Sequence, residues 1–388
     1  MADDNQILLL HQSNINAMFF PITMRDYLMV SFFQRYLLPG LIYQSVIIAG
    51  GYATGREIVE FFFGAGPRGG LLGILVAMTI WSVTLAACFE LARITKSYDY
   101  KTYFSQTLGR GSILFEIAYM LQIILVISIV GAAAGELLSV NYGIEAIWGT
   151  ITMMISVGVL VFFGSSLIEK FLSIWSLLLY IAYAAFVVMC ISVFGDKIAT
   201  NFTTHPVGEG WFTGGLTYSG YNLATIPAVL FCIRHIKTRK EAISAGLLAG
   251  PIAMIPAIFF FVAMMGYYPN IMEQSLPVNY LLNILDVPIF KVIFEIILFG
   301  TFIETCTAMI HSINERIAVA YDDRDHHMPR YMRPVIAFVI LFTAIALATK
   351  FGIVNLISQG YGTLTWIFII LIIVPLFTIG IWKIMKSK

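Results

Sequence analysis

Ten apolar runs of membrane-spanning length take up most of this chain, at about residues 34–64, 69–93, 112–138, 146–163, 167–195, 211–233, 241–268, 287–318, 332–349 and 354–382. Each is cut from the next by glycine, proline or a cluster of charge. A helix needs roughly 20 apolar residues to cross the hydrocarbon of a bilayer. The sequence is 59% hydrophobic and 12% charged, against about a quarter charged in soluble domains. The expected architecture is therefore an all-α membrane protein of ten transmembrane helices. Cys88, Cys190, Cys232 and Cys306 fall inside apolar runs rather than in CxxC pairs, so neither a disulfide framework nor a zinc site is expected.

The basic residues sort by side. Eighteen of the 23 fall before the first run, after each even-numbered run, or at the end of the chain, whereas Arg68, Lys197, Lys291 and Lys350 fall on the other side and Arg56 lies within the first run. The positive-inside rule then places both termini in the cytoplasm of a multi-pass protein of the cell membrane. Residues 1–30 carry no spanning run and no signal-peptide pattern, and are expected to form a cytoplasmic extension. A run from Tyr321 to Arg333 holds Asp322, Asp323, Asp325, His326 and His327, but its spacing is generic and fits a solvated loop.

One run is not written as a plain span. Gly50, Gly51, Tyr52, Ala53, Thr54, Gly55, Arg56 and Glu57 put three glycines, a threonine and two opposite charges inside an apolar helix. Glycine weakens a helix interior, and unwound backbone is tolerated in a bilayer only inside protein or beside a wet cavity. The sixth run carries a counterpart in Thr217, Tyr218, Ser219, Gly220, Tyr221 and Asn222, followed by Pro227. Five spans separate the two, which predicts an inverted repeat of residues 31–200 and 201–388 with helices 1 and 6 broken near the midplane. That is the plan of many secondary transporters, in which a solute binds where the two breaks meet.

Ionisable groups inside a membrane mark function or a buried pair. Glu304 lies mid-span, and Thr301, Ala308, His311 and Glu315 share its helix face. A stripe of this kind suits proton coupling through Glu304 and His311, the alternative for Glu304 being a structural pair with Arg56 or a satisfied interhelical hydrogen bond. Arg56 and Glu57 form either a gate or a local ion pair. In the third run Tyr119 and Gln122 are placed to reach a central cavity, while the small residues from Gly131 to Gly135 favour close helix packing. The start of the tenth run, from Asn355 to Thr363, fits an outer gate or a loop that enters the membrane late.

The segment Gly51, Tyr52, Ala53, Thr54, Gly55, Arg56, Glu57, Ile58 and the segment Tyr218 to Ala224 resemble the two signatures of the YkvI-like membrane proteins, G-x-x-ATG-Q/R-E-I and Tyr-x-x-Tyr/Phe-Asn-Leu-Ala. That family in turn resembles the amino acid–polyamine–organocation transporters of LeuT-type five-plus-five fold. The resemblance implies that the backbone from Gly50 to Gly55, with the Thr54 hydroxyl, cradles substrate opposite Tyr218, Gly220 and Asn222. Sodium-coupled members pair adjacent hydroxyls on helix 8 with carbonyls of helix 1. Here Thr305 and Thr307 alternate around Cys306 beside Glu304, so the coupling ion stays open between Na⁺ and H⁺ and no other metal or cofactor is expected.

No Walker loop, HExxH or GxSxG is present, which leaves ATP-driven transport and hydrolysis without support. The expected function is a secondary active transporter, not an enzyme, carrying a small amino-acid-like or amine solute by alternating access, with the bilayer and the solute as partners and no nucleic acid. The alternative is a ligand-sensing membrane subunit similar to spore germinant receptors, and a channel is a weaker third.

Overall fold

The computed structural model describes residues 32–387 apart from 49, 164, 323–327 and 330. The expected extension at 1–30 and the Asp323, Asp325, His326 and His327 cluster lie outside the described residues. The described chain is helical throughout. A π-helical turn at Phe33–Leu37 leads into α1 (Leu38–Ile47), where Pro39 occupies the first turn, the one place in a helix that has no use for its missing N–H. Two short pieces follow, α2 (Gly50–Ala53) and α3 (Arg56–Phe62). The helix leaves its regular path at Ile48, whose ψ is 70°, and again at Gly55, whose φ is +80°.

Beyond this come α4 (Gly66–Thr95), the short α5 (Tyr100–Leu108), α6 (Ser112–Tyr142), α7 (Ala146–Phe163) and α8 (Ser165–Thr204). Asp99 starts α5 by accepting from the Thr102 N–H at 2.8 Å, which satisfies one of the donors a helix start leaves open. The second half opens with α9 (Trp211–Asn222), which passes at Asn222 into two 3₁₀ stretches, Leu223–Ala228 and Leu230–His235. Pro227 lies in the first of these, and a proline cannot donate the bond that would continue an α-helix.

Next come α10 (Arg239–Met264), α11 (Pro277–Leu285), α12 (Pro288–Asp322) and α13 (Met332–Asn355). A π-helical turn at Leu356–Tyr361, α14 (Gly362–Phe368) and α15 (Ile381–Lys386) close the chain. A capping box starts α10, with Thr238 and Glu241 exchanging side-chain-to-backbone bonds.

Two packed groups emerge. In one, α4 packs along α10, and α9 and α1 lie against them. In the other, α6 packs on α7 and α13, and α12 packs on both α7 and α6. Among the described residues, five stretches are long and apolar enough to cross a membrane by length and composition: Arg56–Thr95, Tyr100–Tyr142, Leu178–Thr204, Arg239–Tyr267 and Met332–Lys386. The outward faces of these helices are apolar too. Val188 is 63% exposed, Phe259 52% and Phe338 69%, a surface at home against lipid tails rather than water.

Candidate functional site

The two discontinuities set the site. At the first, the Thr54 hydroxyl donates to the Gly51 carbonyl at 2.9 Å and accepts from the Arg56 N–H at 3.4 Å, and the Gly55 N–H donates to the Tyr52 carbonyl at 2.9 Å. The turn thus satisfies much of its own backbone. The left-handed φ of Gly55 then redirects α3, a conformation that costs a residue with a Cβ about 1–2 kcal/mol.

Neighbours on α3 point apart, because consecutive residues of a helix do not share a face. Arg56 turns toward the segment before α11, donating to the Met272 carbonyl at 2.9 Å, the Gln274 carbonyl at 3.0 Å and the Glu60 carboxylate at 2.6 Å. Glu57 turns inward and is 2% exposed. The Tyr221 hydroxyl of α9 donates to Glu57 Oε2 at 2.7 Å, and the Tyr361 hydroxyl and the Tyr52 N–H lie within hydrogen-bonding reach of the same carboxylate. The rings of Tyr221 and Tyr361 stack with centroids 3.9 Å apart and planes 6° from parallel. Gly51 makes room for this arrangement: a Cβ there would overlap Glu57 Oε1 and come within 2.8 Å of its Cγ.

Glu57 forms part of the wall of a cavity of about 150 Å³ between the two helix groups, together with Tyr119, Gln122, Tyr221, Asn222 and Tyr361. A second cavity of about 360 Å³ continues toward the end of the bundle that carries the Lys- and Arg-rich connections. The two share Tyr119, Ala228 and Ser312 as common wall. Tyr119 and Ser312 are within hydrogen-bonding reach of each other across that wall. At the basic end Arg316 of α12 bridges to Glu116 of α6 at 2.6 Å, with its guanidinium 5.3 Å from the centroid of the Tyr100 ring.

On the opposite side the segment around α11 caps the break at Thr54 and Gly55. The Val278 N–H donates to the Thr54 carbonyl at 3.0 Å, the Ser275 hydroxyl donates to Glu136 at 2.7 Å, and the Asn141 and Asn279 amides exchange bonds of 3.0 Å. With the Arg56 contacts, these tie the segment after α10 to both α3 and α6. The break is thus capped on one side, and the cavity adjoins the second one toward the other.

The residues expected to bind substrate divide accordingly. Tyr119 and Asn222 line the cavity. Gly51 underlies Glu57, while the Thr54 hydroxyl is taken up by backbone and Ala53 is buried. Gly50 begins α2 and Gly55 supplies the turn. Tyr52 and Tyr218 are fully buried, with hydroxyls that have no partner among the described residues. The Tyr52 ring faces Phe260, 6.1 Å away, and the Tyr218 ring faces Phe62, 4.9 Å away. Gly220 sits against Thr365 of α14.

The residues expected to couple an ion lie on α12. Glu304 is half-buried within electrostatic reach of Tyr180 of α8, and neither it nor His311 is among the described residues that line the two cavities. Thr305 is half-buried, and Thr307 is fully buried with its hydroxyl unpartnered among the described residues. Arg56 bonds with Glu60 and two carbonyls, so the alternative of a Glu304–Arg56 pair is not realised, and Arg56 and Glu57 do not pair with each other.

Sequence reasoning missed the two tyrosines that hold Glu57. Tyr221 stood within the second motif, and Tyr361, placed at an outer gate or loop by its polar neighbours, stands instead at the cavity wall. The flanking Gly360 and Gly362 were its one visible signal.

No family model matches the chain. It is 25% identical over 265 residues to the uncharacterized membrane protein YkvI of Bacillus subtilis (strain 168), an alignment covering 63% of this chain and 74% of that one. The resemblance read from residues 51–58 and 218–224 is thus accompanied by an alignment over 63% of the chain. Among solved structures the fold is similar to MhsT in complex with L-phenylalanine, at 15% identity and a TM-score of 0.53 over 89% of this chain and 97% of that one. It is also similar to a substrate-bound, outward-open Na⁺-coupled sialic acid symporter, at 15% identity and a TM-score of 0.58 over 86% and 79%. A third likeness is to the Eremococcus coleocola manganese transporter, at 12% identity and a TM-score of 0.52 over 88% and 78%. The fold is of the LeuT type. The chain is a multi-pass membrane protein whose structural relatives are transporters rather than enzymes.

Proposed function

We propose that the protein is a secondary active transporter of a small amino-acid-like or amine solute. In this reading ten spans form two inverted repeats, 31–200 and 201–388, with the first and sixth broken and both termini in the cytoplasm. The observation that carries it is the cavity between the two helix groups. It lies where the two discontinuous segments meet, the first of these is capped by the segment around α11, and the cavity adjoins a vestibule at the basic end. Alternating access needs such an arrangement, in which one group moves against the other about a fixed site. On this orientation the described conformation is closed toward the outside, and the solute leaves past Tyr119 and Ser312 once the Glu116–Arg316 bridge parts. The coupling ion is Na⁺ or H⁺. The neighbour named as Na⁺-coupled supports the first, and the carboxylate of Glu304 supports the second.

The test is uptake into proteoliposomes holding the purified protein alone, with a panel of radiolabelled amino acids and amines under an inward Na⁺ gradient, an inward H⁺ gradient, or neither. Accumulation that follows one gradient is the expected result. Binding of a panel member without uptake under either gradient would overturn transport in favour of a ligand sensor.

A further inference from the structure

We infer that the solute site is built for a cationic amine that carries no carboxylate, with Glu57 as the residue that sets this specificity. The inference rests on taking the cavity as the solute site, and it concerns what the cavity accepts rather than whether the solute is moved.

A broken helix exposes N–H groups at its gap, and these are where an anionic substrate group is received in transporters of this plan. In this chain the place is already filled. The Glu57 carboxylate folds back over the bare Cα of Gly51, with the Tyr52 N–H within reach and the Tyr221 hydroxyl donating from the other segment. A substrate carboxylate brought to the same gap would meet a like charge in a buried setting, where such repulsion is weakly screened.

The rest of the wall asks for a donor. Glu57 is the one Asp, Glu, Lys, Arg or His among the described residues of the cavity wall. No cation among the described residues pairs with it. Gln122, 5% exposed, lines the same cavity with its Oε1 lacking any partner among the described residues. An ammonium group has three donors and no acceptor, so it can serve both the carboxylate and the free amide oxygen. The volume of about 150 Å³ limits the solute to a handful of heavy atoms, since an apolar cavity of roughly that size admits benzene.

The experiment uses the purified full chain and a matched set: isobutylamine, L-valine, which is the same skeleton with a carboxylate, and isobutanol, which lacks the charge. Binding is read as ligand-induced thermal stabilisation at fixed pH and fixed Na⁺. Isobutylamine is expected to stabilise the protein, with valine and isobutanol giving no shift at the same concentrations. Glu57→Gln is expected to raise the amine concentration for half-maximal shift by roughly tenfold or more, the loss typical of a charge-assisted bond. Tyr361→Phe, which keeps the stacked ring, gives a smaller increase and serves if the glutamine variant does not fold.

Equal or better stabilisation by valine would overturn the inference while leaving transport intact. So would no shift with isobutylamine, ethylamine or putrescine on the native protein. Amine binding that is unchanged in both variants would overturn the role of Glu57. Amine binding without uptake would uphold the site and overturn the transporter.

Discussion

The Tyr221 hydroxyl lies 2.7 Å from Glu57 Oε2 and donates to it across 164 residues of sequence. The bond joins α3 to α9 where each leaves its regular helical path. Because Tyr221 also stacks on Tyr361, a third segment is fixed against the same carboxylate. Movement of any one of them is therefore felt by the other two, a coupling that a site between two rocking groups requires.

Gly51→Ala tests the space beneath that carboxylate. The added methyl would overlap Glu57 Oε1, so the side chain must swing out and leave the buried Tyr221 hydroxyl without its acceptor. The expected loss of stability is on the order of 1–3 kcal/mol, together with weaker binding of whichever solute the native protein takes. Thermal unfolding of the purified variant checks it, and an unchanged melting temperature would show that Glu57 does not depend on the bare Cα.

Gly55→Ala separates strain from space. The left-handed φ of +80° alone costs about 1–2 kcal/mol, and the new Cβ would stand 2.9 Å from Met264 Sδ and 3.1 Å from Val278 Cγ2. Gly55→Val is expected to be worse than Gly55→Ala by the same measurement, because the same dihedral then carries more bulk into the same contact.

Arg56→Gln addresses the capped end. It removes the charge from the bonds to the Met272 and Gln274 carbonyls and to Glu60, each worth about 1.5–3 kcal/mol when charged. The cap is expected to open more often, and the readout is maleimide labelling of Val278→Cys, a position fully buried in the closed arrangement. Labelling at least tenfold faster in the Arg56→Gln background is the expected outcome. Equal rates would mean that the remaining bonds around α11 suffice.

Glu116→Gln probes the other end and is expected to behave differently. The side chains of Glu116 and Arg316 are 29% and 23% exposed, and a bridge this accessible contributes only about 0–1 kcal/mol. Stability should barely change, while labelling of Ser312→Cys at the shared wall becomes faster. A large loss of stability without faster labelling would make the pair a structural brace instead of a gate.

Much of this was legible in the sequence because it follows from local composition. Apolar runs of spanning length mark helices whatever surrounds them, and glycines 50, 51 and 55 and Pro227 weaken a helix wherever they stand, so the apolar helical character and the two interruptions could be read directly. The YkvI-like motifs covered both interruptions for the same reason: their residues are contiguous.

The assignment of roles within the interruptions was not legible. Arg56 and Glu57 look like one charged pair in sequence, yet the first holds the cap and the second faces the cavity. Thr54 looks like a ligand, yet its hydroxyl closes the turn. Tyr361 belongs to a stretch that resembles an outer loop, yet it reaches the centre. What a residue faces after a left-handed glycine depends on one backbone rotation and on how the next helix packs, and neither is written in the residues on either side. The sequence by itself determined that the chain is built of apolar helices and where glycine and proline weaken two of them; only the tertiary structure decided which side chains meet there, because Glu57, Tyr221 and Tyr361 come together through packing between helices far apart along the chain.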